Sequence, residues 1–339
     1  VEHLDENAVL DLLEQRLSAA ERARVEAHMD TCPSCLELVA MVGAAAPELA
    51  PTEVDFSRHL RAAALQPGQV LGGRFTLDHV LGEGGMGVVW AAQDTSTNAW
   101  VALKVLKEVS AGERKRFVRE GQLMQSFDHP GILDVREVVS VGDEGDVFLV
   151  MDLLKGESLR TRLNHKVTLP TPVVLNLLRS LLEATLAAHG QGVVHRDIKP
   201  ENVFLRDDGQ VLLLDFGMAK LTAGLDLAVS GFMTESGMIL GTPHYMAPEQ
   251  LHGERDVDGR ADVWALGVVT YECLSGERPL TGKSFGQILR AMSRHELVDI
   301  SERVPSLAPP VAELVRRMLT PDRTERPHAS AVLSSLSSL

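Results

Sequence analysis

Two carboxylates, one amide and one ammonium group set the chemistry open to this chain: Asp197, Asp215, Asn202 and Lys199. Carboxylate and amide oxygens hold hard divalent cations, and such a set can orient a hydroxyl towards a phosphate. His195 to Asn202, read His-Arg-Asp-Ile-Lys-Pro-Glu-Asn, is polar and sits between the apolar runs Val193-Val194 and Val203-Phe204-Leu205. It reads as a loop held between buried strands. Asp207 to Gln210, Asp-Asp-Gly-Gln, makes a hairpin turn, because glycine accepts the positive φ such turns need. The next run, Val211 to Leu214, ends in Asp215-Phe216-Gly217, so the four groups converge at the open end of a short hairpin.

Other elements must bring a phosphate to that hairpin. Phe75 to Leu81 reads as a strand, followed by Gly82-Glu-Gly84-Gly-Met-Gly87 and a second strand to Gln93. Glycines let backbone pass close over phosphates and leave N–H groups free to donate. The same spacing marks dinucleotide-binding turns, but those lead into a helix, and here a strand follows. Val101-Ala-Leu-Lys104 places a lysine on an otherwise apolar strand, where a snorkelling edge residue is the plainer alternative. Glu113 to Phe127 has helical periodicity, with Phe117, Met124 and Phe127 inward. Glu120 falls on that apolar face. A carboxylate there is costly unless a cation meets it, and Lys104 is the natural partner.

The loop at His195 to Asn202 and the tripeptide Asp215-Phe216-Gly217 resemble the catalytic and metal-binding signatures of protein kinases. The glycine loop, Lys104, Glu120 and Ala247-Pro-Glu249 keep that family's order, over about Gln69 to Leu336. The resemblance implies an α+β, bilobal protein kinase fold: a small β-rich lobe at 69–151, a hinge at 152–154 and a large helical lobe at 155–337. It also implies ATP and Mg2+ as cofactors, and transfer of the γ-phosphoryl group to Ser or Thr hydroxyls of protein substrates. Asp197 would then orient the hydroxyl and accept its proton, Lys199 would meet charge on the γ-phosphoryl oxygens, and Asn202 and Asp215 would hold magnesium. Gly82, Gly84, Gly87, Val89, Ala102, Lys104, Met151, Asp152 and Leu154 would line the nucleotide site, with Glu157 and Ser158 towards the ribose. Glu120 would position Lys104. His195 is read as structural, packed under Phe216. Lys199, with Thr242 in Gly-Thr-Pro, resembles Ser/Thr rather than tyrosine kinases. Glu249 and Arg326 resemble the family's buried ion pair.

Several elements follow from pattern alone. Thr171-Pro172 is expected to cap a long helix that runs to His189, and Asp262 to cap Val263 to Leu274. The latter is apolar on nearly every side, as befits a helix in mid-core that anchors the catalytic loop. Arg196, beside Asp197, needs an anion. Phosphorylation of Thr234, and secondarily of Ser236, within the loop Met218 to Ala247 would supply one; ordinary loop hydroxyls are the plain alternative.

The first 43 residues read as a separate helical module, with a linker at 44–68 rich in Ala, Pro and Glu. His28, Cys32 and Cys35 form His-x3-Cys-x2-Cys, and His3 offers a fourth ligand for a tetrahedral Zn2+ site. Two short helices bury little apolar surface, so a metal crosslink would supply stability. A zinc-free hairpin with reduced thiols and a redox Cys-x-x-Cys are the alternatives. The layout resembles the zinc-binding anti-sigma-factor domain, with His3 where that family usually has Cys. This implies a regulatory or partner-binding role, with a sigma-factor-like or other protein as partner, in bacterial signalling.

A net charge of −14 leaves no basic surplus for nucleic acid. No apolar run approaches the roughly 20 residues needed to span a bilayer, and no basic-then-apolar secretory start appears, so a cytoplasmic location is expected. Two other readings stand beside an active kinase. One is a nucleotide-binding pseudokinase scaffold, which retention of Lys104, Asp197, Asn202 and Asp215 argues against. The other is a zinc-dependent regulator that grips a transcription factor.

Overall fold

A computed structural model describes residues 65–84, 87–106, 111–141, 147–215, 243–254, 256–282, 285–294 and 296–339, together with Val25 and His28. At 84, 111–113, 116 and 120 it describes the backbone alone. Every described residue from 65 onward belongs to one compact unit. The module expected at 1–43 and the linker at 44–68 lie outside the described residues, apart from Val25, His28 and residues 65–68.

The small lobe is a six-stranded sheet. Its strands are β1 (Val70–Leu71), β2 (Phe75–Gly84), β3 (Gly87–Asp94), β4 (Ala99–Leu106), β5 (Val135–Ser140) and β6 (Val147–Asp152). They lie in the order β1-β2-β3-β4-β6-β5, and every neighbouring pair is antiparallel. The two-residue period of a strand decides which side chain enters which core. On β4, Val101, Leu103 and Val105 join Phe75, Leu77, Trp90, Phe148 and Val150 in a core of the lobe's own. Ala102 faces the other way, with Leu149 and Met151, and is continuous with the core of the helical lobe. Both faces of β6 are therefore covered, which is why it is apolar from Val147 to Met151. Lys104 alternates onto the same face as Ala102 and is buried there. Helix α1 (Ala111–Met124) starts and ends earlier than its periodicity suggests, but Phe117, Met124 and Phe127 are buried as expected.

Beyond β6 a second, three-stranded sheet carries the polar loop. It comprises β7 (Gly156–Ser158), β8 (Val203–Arg206) and β9 (Val211–Leu213), in that order. The β8–β9 hairpin turns at Gly209, with φ +90°. Helices α2 (Leu159–His165) and α3 (Thr171–Gly190) follow β7. Thr171 is the first residue of α3 and not its cap; that place belongs to Pro170, with no side-chain cap bond. After the loop come α4 (Pro248–Leu251), α5 (Arg260–Ser275), α6 (Phe285–Ser293), α7 (Ile300–Arg303), α8 (Pro309–Met318) and α9 (Ala329–Leu336). Helix α5 is buried on all sides from Ala261 to Leu274, as a helix with no polar face must be. Asp262 does not cap it: Gly259 holds the N-cap position, and Asp262 lies in the first turn. Among the described residues no helix is long and apolar enough to cross a membrane.

Candidate active site

The carboxylate of Asp262 explains how the catalytic loop is held. Fully buried, it accepts the backbone N–H of Arg196 at 2.8 Å and that of His195 at 2.9 Å. His189, at the end of α3, meets the same Oδ2 at 2.8 Å. A carboxylate inside an apolar helix must find donors, and these are what it finds. His195 is also buried, and both ring nitrogens are used. Nε2 donates to the Leu214 carbonyl at 2.9 Å, and Nδ1 accepts the Asp197 N–H at 3.2 Å. Burial pushes this imidazole below its ordinary range, against the pull of Asp262. His195 is thus a neutral brace between the loop and the strand that delivers Asp215.

The four groups expected to converge do so. Lys199 Nζ lies 2.9 Å from Asp197 Oδ2. Asn202 Nδ2 donates to the Asp197 carbonyl at 2.8 Å and to its Oδ2 at 3.2 Å. Leu214 N–H donates to the Asn202 carbonyl at 2.8 Å, which fixes the adjoining Asp215. Lys104 reaches across from the small lobe and places Nζ 2.6 Å from Asp215 Oδ1. Arg196 and Asp215 both have positive φ, at 63° and 45°. Non-glycine residues rarely do, and strained backbone of this kind gathers at functional sites.

The strand register sets the roof. Val89 pairs with Lys104 and Ala102 with Met151, so all four line one face of the sheet. Gly82 is exposed with open space where a side chain would stand. Gly87 is glycine for a different reason: a Cβ there would meet the Val105 carbonyl oxygen at 2.3 Å. Asp152, the last residue of β6, and Leu154 beyond it are half-buried. Ser158 Oγ caps α2 by accepting the Thr161 N–H at 3.0 Å, and Glu157 pairs with Arg162. Thr234, Ser236, Phe216 and Thr242, with His3, Cys32 and Cys35, lie outside the described residues, as does the side chain of Glu120. His28 is described without those companions.

The residues fit a divalent cation. Asn202 turns its Nδ2 to Asp197, which leaves its Oδ1 without a donor among the described residues. Asp215 Oδ2 likewise accepts no bond there, while its partner oxygen meets Lys104. Two oxygens of the hard-cation type are thus open beside Asp197. No group of three or more His, Cys, Asp or Glu that could hold a metal occurs among the described residues.

Residues 75–336 match the family model described as "Protein kinase domain", and residues 7–36 match a second described as "Putative zinc-finger". The chain belongs to the protein kinase family. It is 37% identical over 278 residues to the serine/threonine-protein kinase pkn2 of Myxococcus xanthus, covering 78% of this chain and 32% of that protein. It is 37% identical over 258 residues to PknA of Mycobacterium tuberculosis, covering 74% and 57%. It is 36% identical to the DNA damage-responsive kinase RqkA of Deinococcus radiodurans, covering 80% and 40%. The chain therefore spans between 32% and 57% of the length of these relatives. The crystal structure of Rad53 1-466 in complex with AMP-PNP shares the fold, with TM-score 0.64 at 23% identity, covering 77% of this chain and 64% of that one.

His189, Asp262 and Gln250, which donates from Nε2 to the Arg196 carbonyl at 2.9 Å, were not foreseen as parts of the site. Only Asp262 left a sequence signal, as the one carboxylate in the first turn of a largely apolar helix.

Proposed function

We propose that the chain is an ATP-dependent Ser/Thr protein kinase that transfers the γ-phosphoryl group of Mg-ATP to protein hydroxyls. The observation that carries this reading is the 2.6 Å contact of Lys104 with Asp215, which joins the two lobes beside the Asp197–Lys199–Asn202 cluster. Bound magnesium would supply charge neutralisation on the phosphates and in-line geometry for their transfer. Asn202 and Asp215 would hold it through the open oxygens. Asp197, fixed by Asn202 and by the His195 brace, orients the acceptor hydroxyl and takes its proton. Lys199 holds the phosphoryl oxygens against it. Lys104 binds phosphate, with Glu120 and Thr242 assigned to the site on the family pattern alone.

The division into a zinc-finger-type module at 1–43, a linker at 44–68 and a kinase domain at 69–337 belongs to the same reading. So does Zn2+ on His3, His28, Cys32 and Cys35, with a protein partner for that module. Autophosphorylation of Thr234 and Ser236 is supported at Arg196. Burial lowers the pKa of its guanidinium against the pull of Asp262. Its Nη2 donates to the Val257 carbonyl at 2.9 Å, while its Nε is buried without a partner among the described residues. A phosphate would fill that gap.

The test is transfer from γ-labelled ATP by the wild type and by Asp197→Asn, with phosphosites mapped. The variant should lose about 10²–10⁴-fold in rate. A wild type that labels neither itself nor any added protein rejects the reading; label absent from Thr234 and Ser236 rejects the autophosphorylation step alone.

A further inference from the structure

Arg160, in the first turn of α2, ties together four elements. Its Nη1 donates to Glu272 Oε1 at 2.9 Å, and its Nη2 to the Tyr245 hydroxyl at 2.5 Å. Its Nε donates to Glu201 Oε1 at 2.9 Å. The Tyr245 hydroxyl in turn donates to Glu272 Oε2 at 2.5 Å. Glu272 stands on the buried helix α5, and Glu201 on the 3-10 turn Pro200–Asn202 that carries the candidate magnesium ligand. Tyr245 closes a second such turn, Pro243–Tyr245, where the chain returns to the site. Glu272 and Tyr245 are buried, Arg160 is half-buried and Glu201 is exposed, so the network runs from the core to the mouth of the site.

A second tether acts on the same returning segment. Gln250 accepts the Ala247 N–H at 3.0 Å and donates to the Arg196 carbonyl at 2.9 Å. Residues 243–250 are thereby fastened on both sides of Asp197: at Arg196 just before it, and through Arg160 at Glu201 just after it. Neither tether uses Asp197 itself. Neither involves the strand residues assigned to the nucleotide.

We propose that Arg160 is a positioning residue, whose guanidinium sets the returning segment 243–247 at a fixed distance from Asp197 and so aligns the protein that presents its hydroxyl. This rests on the kinase reading above. An acceptor held in near-attack geometry reacts far faster than one displaced by an ångström, whereas water as acceptor needs no such wall. Arg160 therefore acts on the acceptor side of the reaction and not on nucleotide binding.

Arg160→Met alone would strand a buried Glu272 charge and risk unfolding. The test therefore uses Arg160→Met with Glu272→Gln, which removes both charges and leaves Tyr245 an amide partner, alongside Arg160→Lys. Casein is the acceptor probe. The double variant should keep the wild-type melting temperature, KM for ATP and slow ATP hydrolysis by water, while kcat for casein falls about 100-fold. Arg160→Lys should recover part of that loss, and amide exchange at 243–251 should quicken in the double variant. Wild-type kcat in the double variant overturns the proposal, as does an equal fall in water hydrolysis. If the wild type transfers phosphoryl to nothing, the kinase reading fails separately. The exchange measurement then decides by itself: faster exchange at 243–251 upholds the hold of Arg160 on this segment, and unchanged exchange overturns it.

Discussion

The Glu249–Arg326 and Lys104–Asp215 ion pairs both join segments far apart in the chain, and they are built in opposite ways. Glu249 and Arg326 are 3% and 0% exposed, and their bond is bidentate, at 2.7 and 3.1 Å. The remaining Arg326 donors reach the Thr320, Arg260 and Pro321 carbonyls. Every polar direction on that guanidinium is met, and Trp264 lies against its face at 5.1 Å. Asp215, by contrast, is 47% exposed, touches Lys104 through one oxygen and accepts nothing through the other from the described residues. A saturated pair can only hold the fold together. An unsaturated pair at a cleft has bonding capacity left for a ligand.

That contrast can be broken at its closed end first. Glu249→Gln leaves Arg326 charged and buried, and should cost about 3–5 kcal/mol of stability, read from urea unfolding. Glu249→Leu with Arg326→Met removes both charges and should recover most of that loss, because an apolar replacement of a buried pair is often close to neutral. A double variant as unstable as Glu249→Gln would mean that the pair does more than satisfy itself.

A smaller effect sharpens the comparison through pH. Burial lowers the pKa of His195 and of His244, whose Nε2 meets the Gly282 carbonyl at 2.9 Å. Below the ordinary 6.5 the unfolded chain binds protons on these imidazoles that the folded protein does not. Unfolded-state uptake exceeds native uptake, so stability falls as pH drops through 6.5 and levels off below the folded values. The slope is at most about 1.4 kcal/mol per pH unit for each group. The carboxylates held low by their partners, such as Asp299 and Asp322, start from 3.8 and act at more acidic pH. Urea midpoints between pH 7 and 5.5 check this. His244→Gln should flatten the slope, and a flat wild-type profile would contradict the lowered pKa of one buried and one half-buried imidazole.

How much of this was legible depended on how local each interaction is. The catalytic loop, its hairpin and the turn at Gly209 lie within one short stretch, so residue type and spacing sufficed to place Asp197, Lys199, Asn202 and Asp215 together. The Lys104 strand was legible because a lysine in an apolar run stands out. The braces were not. Asp262 looked like a helix cap because caps are local and common, whereas its real partners, His189 and the loop backbone, come from far along the chain. The Arg160 network was hidden for the same reason: Glu201, Tyr245 and Glu272 meet only after the helical lobe has closed. The cap that Ser158 gives α2 was not foreseen, because capping and ligand binding both call for a hydroxyl at a helix start.

The central claim is that Lys104 and Asp215 serve one magnesium-bound triphosphate. Calorimetric titration of ATP, with and without magnesium, into the wild type, Lys104→Met and Asp215→Asn tests it most directly. The wild type should bind more tightly with magnesium, Asp215→Asn should lose that gain, and Lys104→Met should bind more weakly in both conditions. An Asp215→Asn protein that keeps the full magnesium-dependent gain would contradict the account.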